Sequence, residues 1–337
     1  MERLRAAVVG VGHLGRQHAR IYAGMEEVEL VAVVDRDEAR AREVAAQFHS
    51  RACTDVAQLD LPLDLVSVVV PTKLHYEVAT RFLERRVAVL VEKPMTRTVE
   101  EAQRLAAQAR ACGVCLQVGH VERFNPALRA AQRFEIALRF IEAHCFAPFS
   151  FRSIDIGVVH DLMIHDLDIV LHLVKSPLKE VRAVGGTLLS GHEDIASARL
   201  EFEDGAVANL TASRVSLEPM RRTRVFSRDF FLSLDLGKRY AFLARKPAGF
   251  DARLAETWAR IAATPPEELP RIAASAFRDL IEIEELTLDD AEPLEAELAS
   301  FVRAVRDGTP PEVSADEALR ALEVADAVIA QIRSRRW

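Results

Sequence analysis

Three side chains in this sequence have the types and placement needed to take a proton from an alcohol: Lys93, Asp161 and His165. Lys93 stands in Glu92-Lys93-Pro94, directly after the apolar run VAVLVE, which reads as a strand. Ligands of open α/β sheets collect at the carboxyl ends of the strands. A lysine there, beside a cationic ring, gives up its proton more readily, and it can hydrogen-bond a substrate hydroxyl. Asp161 and His165 are four apart in HDLMIHDLD, with Asp168 three further on, so a helix would put all three on one face. A carboxylate one turn from an imidazole can orient the ring, and histidine titrates near neutral pH. That is the wiring of a general base. The plainer alternatives are a surface lysine, a solvated helix face and a hydrogen-bonded core histidine. A divalent-metal site from His160, His165 and the aspartates would lack HExxH spacing, and no metal is expected.

Oxidising an alcohol also needs an acceptor, and the amino-terminal segment has a site for one. Gly10-Val11-Gly12-His13-Leu14-Gly15 is GxGxxG after a strand-like run and before a helix-like one. Gly10 permits the tight turn, Gly12 lets backbone approach a pyrophosphate, and Gly15 allows close helix packing. With His13 and Leu14, these glycines open a helix whose N-terminal amides suit a phosphate. Asp35 ends the next strand, 20 residues beyond Gly15, where a carboxylate binds a ribose diol. Asp35 would repel a 2′-phosphate, so NAD is expected over NADP, although Arg36 partly offsets the repulsion.

Apolar runs at Ala6–Gly10, Val28–Asp35, Asp64–Val70, Val87–Glu92 and Val114–Gly119 alternate with helical stretches, which predicts a doubly wound parallel sheet over residues 1–121. After that come a helix at Glu122–Phe134, strand-like alternation from Ile136 and between Leu178 and Leu243, and a helix at His160–Val174. Two more helices follow, Pro293–Arg306 and Ala315–Arg333. Residues 122–337 are therefore expected to form an α+β domain with an open, largely antiparallel sheet, whose bare face predicts a homodimer or homotetramer. Residues 264–275 look like an irregular insertion. The chain's 337 residues suit about two domains at roughly 150 residues each. A net charge of −7 gives no basic field for nucleic acid. No run reaches the roughly 18 apolar residues of a membrane span, and the start does not resemble a signal peptide. Four cysteines are too few for a disulfide framework, so a cytoplasmic location is expected. Cys112-Gly-Val-Cys115 has no second CxxC to complete a zinc site. Arg221, Arg222 and Arg224 read as a solvated strand face, and Arg333–Arg336 as a frayed tail.

GxGxxG, the strand-ending acid, EKP and DxxxHxxD, in this order, resemble the Gfo/Idh/MocA family of sugar and polyol dehydrogenases. The resemblance covers most of the chain, and PLEAELASF at Pro293–Phe301 is similar to the family's late PLxxELxxF helix. It implies that Lys93, Asp161 and His165 are catalytic and touch substrate, that Asp168 is the motif's last acid, and that the bond before Pro94 is cis. It also implies cofactor contacts from Glu92, Lys93 and Gln117, and from Pro71 and His75 in a segment like the family's TPNxxH. Met163 replaces the glycine of the family's DxGxHxxD motif. VGHVERFNP at Val118–Pro126, followed by GVVHDLMIHDLD, is similar to the branch that oxidises the 3-hydroxyl of UDP-N-acetylglucosamine. That branch's 3-keto product feeds an aminotransferase, for example in making amide-linked lipid A. The likeness implies that Arg123 and Asn125 hold a nucleotide sugar; helix capping and packing are the alternative. The expectation is NAD-dependent oxidation of that hydroxyl. The rivals are a dehydrogenase of a free sugar or polyol such as inositol, and a non-catalytic sugar or NAD sensor.

Overall fold

A computed structural model describes residues 2–134, 138–150, 156–269 and 280–334. Its first sheet has six strands in the order β3-β2-β1-β4-β5-β6, all parallel. They are β1 Leu4–Val9, β2 Val28–Val34, β3 Arg51–Cys53, β4 Leu65–Val68, β5 Ala88–Glu92 and β6 Leu116–Gly119. Every residue of β4, β5 and β6 is buried, because helices cover both faces. Those helices are α1 His13–Gly24, α2 Glu38–Gln47, α3 His75–Glu84 and α4 Val99–Cys112. The caps are local: the Thr98 hydroxyl accepts from the Glu101 amide, and Gly113 ends α4 at φ 65°. The sequence predicts five strands here. At three residues, β3 is too short for its periodicity to show.

Pro126 divides the expected Glu122–Phe134 helix. It has no N–H to donate, so it occupies the first position of a separate helix, α5 Pro126–Ala131, after a 3₁₀ turn at Val121–Phe124. Next come β7 Phe140–Phe146, a π-helical turn at Val159–Met163 running into α6 Ile164–Leu173, β8 Leu178–Gly186, β9 Ile195–Phe202 and β10 Val207–Ser213. Then follow β11 Met220–Phe226, β12 Phe230–Asp235, β13 Tyr240–Arg245, α7 Phe250–Ala262 and β14 Glu282–Glu285. These strands form one sheet in the order β14-β13-β12-β11-β7-β10-β9-β8. Only β7 and β10 pair in parallel. Ile141, Ala143 and Cys145 alternate with partly exposed Phe140, Glu142 and His144, so one face builds a core and the other stays open. Within the expected insertion, residues 270–275 lie outside the described residues, as do Arg335 and Arg336 of the C-terminal cluster.

The last two helices, α8 Pro293–Asp307 and α9 Ala315–Ser334, change the expected division at residues 121/122. Leu294, Leu298, Phe301 and Val302 of α8 share a cluster with Ile21, Tyr22 and Leu90 of the first lobe. Fully burying Leu298 and Phe301 contributes about 1.5–3 kcal/mol each. Ala318 and Leu322 of α9 join the core beneath β5 and β6, while Val328 and Ile329 pack under the second sheet. A 20-residue helix is long enough, at about 30 Å, to lie across both lobes.

Candidate active site

The glycine loop is set by contact distances. Gly10 has φ 87°, and a Cβ there would fall 2.3 Å from the Val69 carbonyl oxygen. A Cβ on Gly15 would fall 1.8 Å from the Gly10 oxygen, whereas Gly12 has nothing within 4 Å. Two glycines therefore close the turn and the third leaves room for a ligand. His13 and Leu14, at the mouth of α1, are exposed. The Asp35 carboxylate accepts from the Val11 and Asp37 amides, both at 3.0 Å, and Arg40 reaches it at 3.3 Å. A cavity of about 570 Å³ opens over these groups, lined by Gly10, Gly12, Asp35, Arg36, Pro71 and Lys73 among others. Its size, open glycine and terminal acid fit the adenosine end of a dinucleotide.

Two of the residues expected to contact the cofactor are buried and hydrogen-bonded to the interior. The ring of His75 is buried, with its nitrogens 2.9 Å from the Pro94 carbonyl oxygen and 2.8 Å from that of Val70. Burial lowers its pKa, against the pull of the two carbonyl oxygens, which favour the protonated ring. The ring ties the EKP loop to the end of β4. Gln117 is fully buried and donates 3.2 Å to the Glu297 carbonyl oxygen.

The proton-handling groups do meet across the lobes. Lys93 leaves the end of β5, and its Nζ donates 2.6 Å to the Asp161 carbonyl oxygen, with the Asp161 carboxylate at 3.5 Å. Asp161 sits in the π-helical turn, a widened turn of a kind common at functional sites. The expected carboxylate–imidazole pair is absent: Asp161 turns to Lys93, and the buried Nδ1 of His165 has no partner among the described residues. The His120 ring stands edge-on to His165, with centroids 6.1 Å apart. Burial holds the His165 pKa well below 6.5, reinforced by the cations Lys93 and Arg221 and by His120. The ring is therefore neutral near pH 7, as a base must be. Asp166 beside it is pushed up to about 7 by burial. His160 turns to α9, 3.0 Å from Asp326.

Arg123 and Asn125 take the packing alternative. Arg123 is 2% exposed, with Nη2 2.7 Å from Glu317 and Nε 3.5 Å from Asp168. Asn125 caps α5 through Oδ1, and its amide donates to Glu122 and to the Leu236 carbonyl oxygen. Both residues brace the first lobe against α6, α9 and the second sheet. Replacing Arg123 by alanine strands the buried Asp168 carboxylate and should cost about 3–5 kcal/mol, read as a lower urea midpoint. Arg221 also differs from expectation: it lies on the same face of β11 as buried Thr223 and Val225, and pairs with Glu122. That period-two alternation is visible in the sequence and would have placed it inward. His120 was likewise overlooked, although the end of β6 is a ligand-binding position.

A glycine-loop cavity of dinucleotide size, on a lobe whose β5 ends in a lysine paired to the turn that leads into a neutral imidazole, fits an NAD-dependent dehydrogenase of sugar or polyol alcohols. Residues 4–120 match the Gfo/Idh/MocA model for an oxidoreductase NAD-binding Rossmann fold, and residues 146–229 match that family's C-terminal domain. The chain belongs to the Gfo/Idh/MocA family. It is 41% identical to UDP-N-acetylglucosamine 3-dehydrogenase of Acidithiobacillus ferrooxidans over 74% of this chain and 79% of the relative. A solved structure of that enzyme superposes with TM-score 0.85 at 34% identity, covering 99% of each chain. The scyllo-inositol 2-dehydrogenase (NAD(+)) of Bacillus subtilis is 31% identical over 64% of this chain and 68% of the relative.

Proposed function

We propose that this chain uses NAD to oxidise the 3-hydroxyl of UDP-N-acetylglucosamine to the 3-keto sugar. The observation that carries the chemistry is the Lys93 ammonium reaching Asp161 of the other lobe, beside an imidazole with an unpartnered nitrogen. Lys93 donates a hydrogen bond to the sugar hydroxyl, and His165 accepts its proton. Asp161 holds Lys93 in place. A bound NAD would supply the acceptor for the carbon-bound hydrogen, which leaves as hydride. Among the five cofactor positions that line the cavity, Asp35 sets the preference for NAD by taking the ribose diol.

The choice of sugar rests on the 41% identity to the UDP-N-acetylglucosamine enzyme. The test is NADH formation from UDP-N-acetylglucosamine against free inositols; turnover confined to the inositols would overturn the choice. That second reading is favoured by the inositol-oxidising relative. Changing Asp35 to serine removes a carboxylate from the diol position and should shift the NADP-to-NAD ratio of kcat/KM upward by roughly 10–100-fold, at about 1.5–3 kcal/mol for a charged hydrogen bond.

A second copy would cover the open sheet face, where Phe140, Phe226, Phe231 and Phe242 follow one another at centroid spacings of 5.6, 4.9 and 5.6 Å. Four free cysteines fit a reducing cytoplasm. No helix among the described residues is long and apolar enough to cross a membrane.

A further inference from the structure

Between the first sheet and helices α1 and α8 runs a polar seam inside an apolar core. Around it pack Leu90, Ile21, Leu298 and Phe301. One pair in the seam is satisfied: the Tyr22 hydroxyl and the Ser67 Oγ are 2.8 Å apart. The rest is not. His18 Nδ1, Gln117 Oε1 and both carboxyl oxygens of Glu297 are buried without a partner among the described residues. Glu297 is 0% exposed. Buried polar groups are normally paired, so this cluster calls for a reason.

Glu92 is the reason the geometry offers. It precedes Lys93, ends β5 at the ligand-binding edge of the sheet and is 8% exposed. Its Oε1 lies 3.2 Å from His18 Nε2, and its Oε2 accepts from the Lys93 amide at 3.3 Å. Gly119 on β6 faces the carboxylate directly, and a Cβ there would lie 2.8–2.9 Å from its carboxyl atoms. Glu92 is thus pinned from three sides and has two donors. Glu297 has none among the described residues, and ionising it in a dry core that already feels the charge of Glu92 is costly. The donors select Glu92 as the ionised member and leave the proton on Glu297.

We propose that Glu297 and His18 are positioning residues that keep a single negative charge on Glu92 at the cofactor's nicotinamide end, so that the site favours the oxidised, cationic ring over the reduced, neutral one. The inference rests on dinucleotide binding and not on which sugar is oxidised. Burial first, then the charge of Glu92, holds the Glu297 carboxyl well above its usual range. Asp168 from α6, Glu122 from the 3₁₀ turn and Glu292 from the α8 cap push the same way. From α1, Tyr22 and His18 complete the surroundings.

The test titrates the apo protein with NAD+ and with NADH from pH 6 to 9, using the wild type, Glu92→Gln and Glu297→Gln. The readout is the ratio Kd(NADH)/Kd(NAD+). Glu92→Gln should lower it roughly tenfold, the effect of losing one nearby charge. Glu297→Gln should match wild type at pH 7, because glutamine is as neutral as the acid it replaces. Any climb of the wild-type ratio with rising pH should be absent from Glu297→Gln. A tenfold drop in Glu297→Gln at pH 7, or a climb with pH that survives in Glu297→Gln, would overturn the proposal.

Thermal unfolding of the apo protein gives a second readout. A folded-state pKa raised above the unfolded value stabilises below that value and is lost as pH climbs. Glu297→Gln should therefore melt higher than wild type at alkaline pH, with the two converging toward pH ~4.5; equal melting at every pH would count against the proposal. Should Glu297→Gln not fold, His18→Leu carries the test: removing the donor to Glu92 should lower the ratio, and an unchanged ratio overturns the idea. Failure of the wild type to bind either cofactor form would instead sink the dinucleotide reading itself.

Discussion

Lys93→Met should lower kcat by roughly 10²–10⁴-fold, the range for losing a positioned proton-transfer group. Methionine keeps the length and the apolar stem but neither donates nor carries charge. The Asp161 carbonyl, which accepts from Nζ at 2.6 Å, would lose its cross-lobe partner. NAD+ affinity should hold or improve, because a cation has been removed from beside a cationic ring. The informative measurement is therefore a split: kcat by steady-state kinetics, and cofactor Kd by fluorescence titration of the apo protein. Retention of more than a tenth of wild-type kcat would remove Lys93 from the chemistry. Equal losses in kcat and cofactor binding would make it a binding residue instead.

His165→Asn should bring a loss of similar size, roughly 10²–10⁴-fold in kcat/KM. Its pH profile separates a base from a packing residue. The folded-state pKa of His165 is depressed, so the ring is neutral above the unfolded value of 6.5 and for some distance below it. Wild-type kcat/KM should accordingly hold level from pH 8 down past 6.5 and fall only at lower pH. His165→Asn should lack that acid limb, since asparagine does not titrate. A wild-type limb centred at or above 6.5, or one that survives in the variant, would assign the proton to another group. Asp166, pushed up to about 7, is the nearest alternative, though both its oxygens are sealed from solvent and from hydrogen bonds.

Much of the site was written locally. Gly10 and Gly15 are identifiable because the turn they make tolerates no Cβ, and that constraint acts over six residues of chain. Lys93 was legible from its place after an unbroken apolar strand. Asp161 was half legible. Its membership of the site follows from spacing, but its partner does not, because the π-helical turn moves it from the imidazole to the lysine. Arg123 and Asn125 look like ligand-binding residues in the sequence, where an arginine and an amide near a cleft invite that reading. Only the fold supplies their neighbours: Asp168 of α6 and Glu317 of α9 for Arg123, and the Leu236 carbonyl just after β12 for Asn125.

By itself, then, the sequence determined the fold class, the dinucleotide loop and the family of chemistry. Each of these depends on short-range backbone geometry or on a hydrophobic period repeated along one element. Tertiary structure alone decided which polar groups are buried, which of them face each other and which remain unpaired. Glu297 lies against the first sheet, beside Gln117, only because α8 returns across most of the chain's length to cover that sheet. The energy of a charge depends on the dielectric and the partners around it, and folding assembles both from residues that have no relation in sequence.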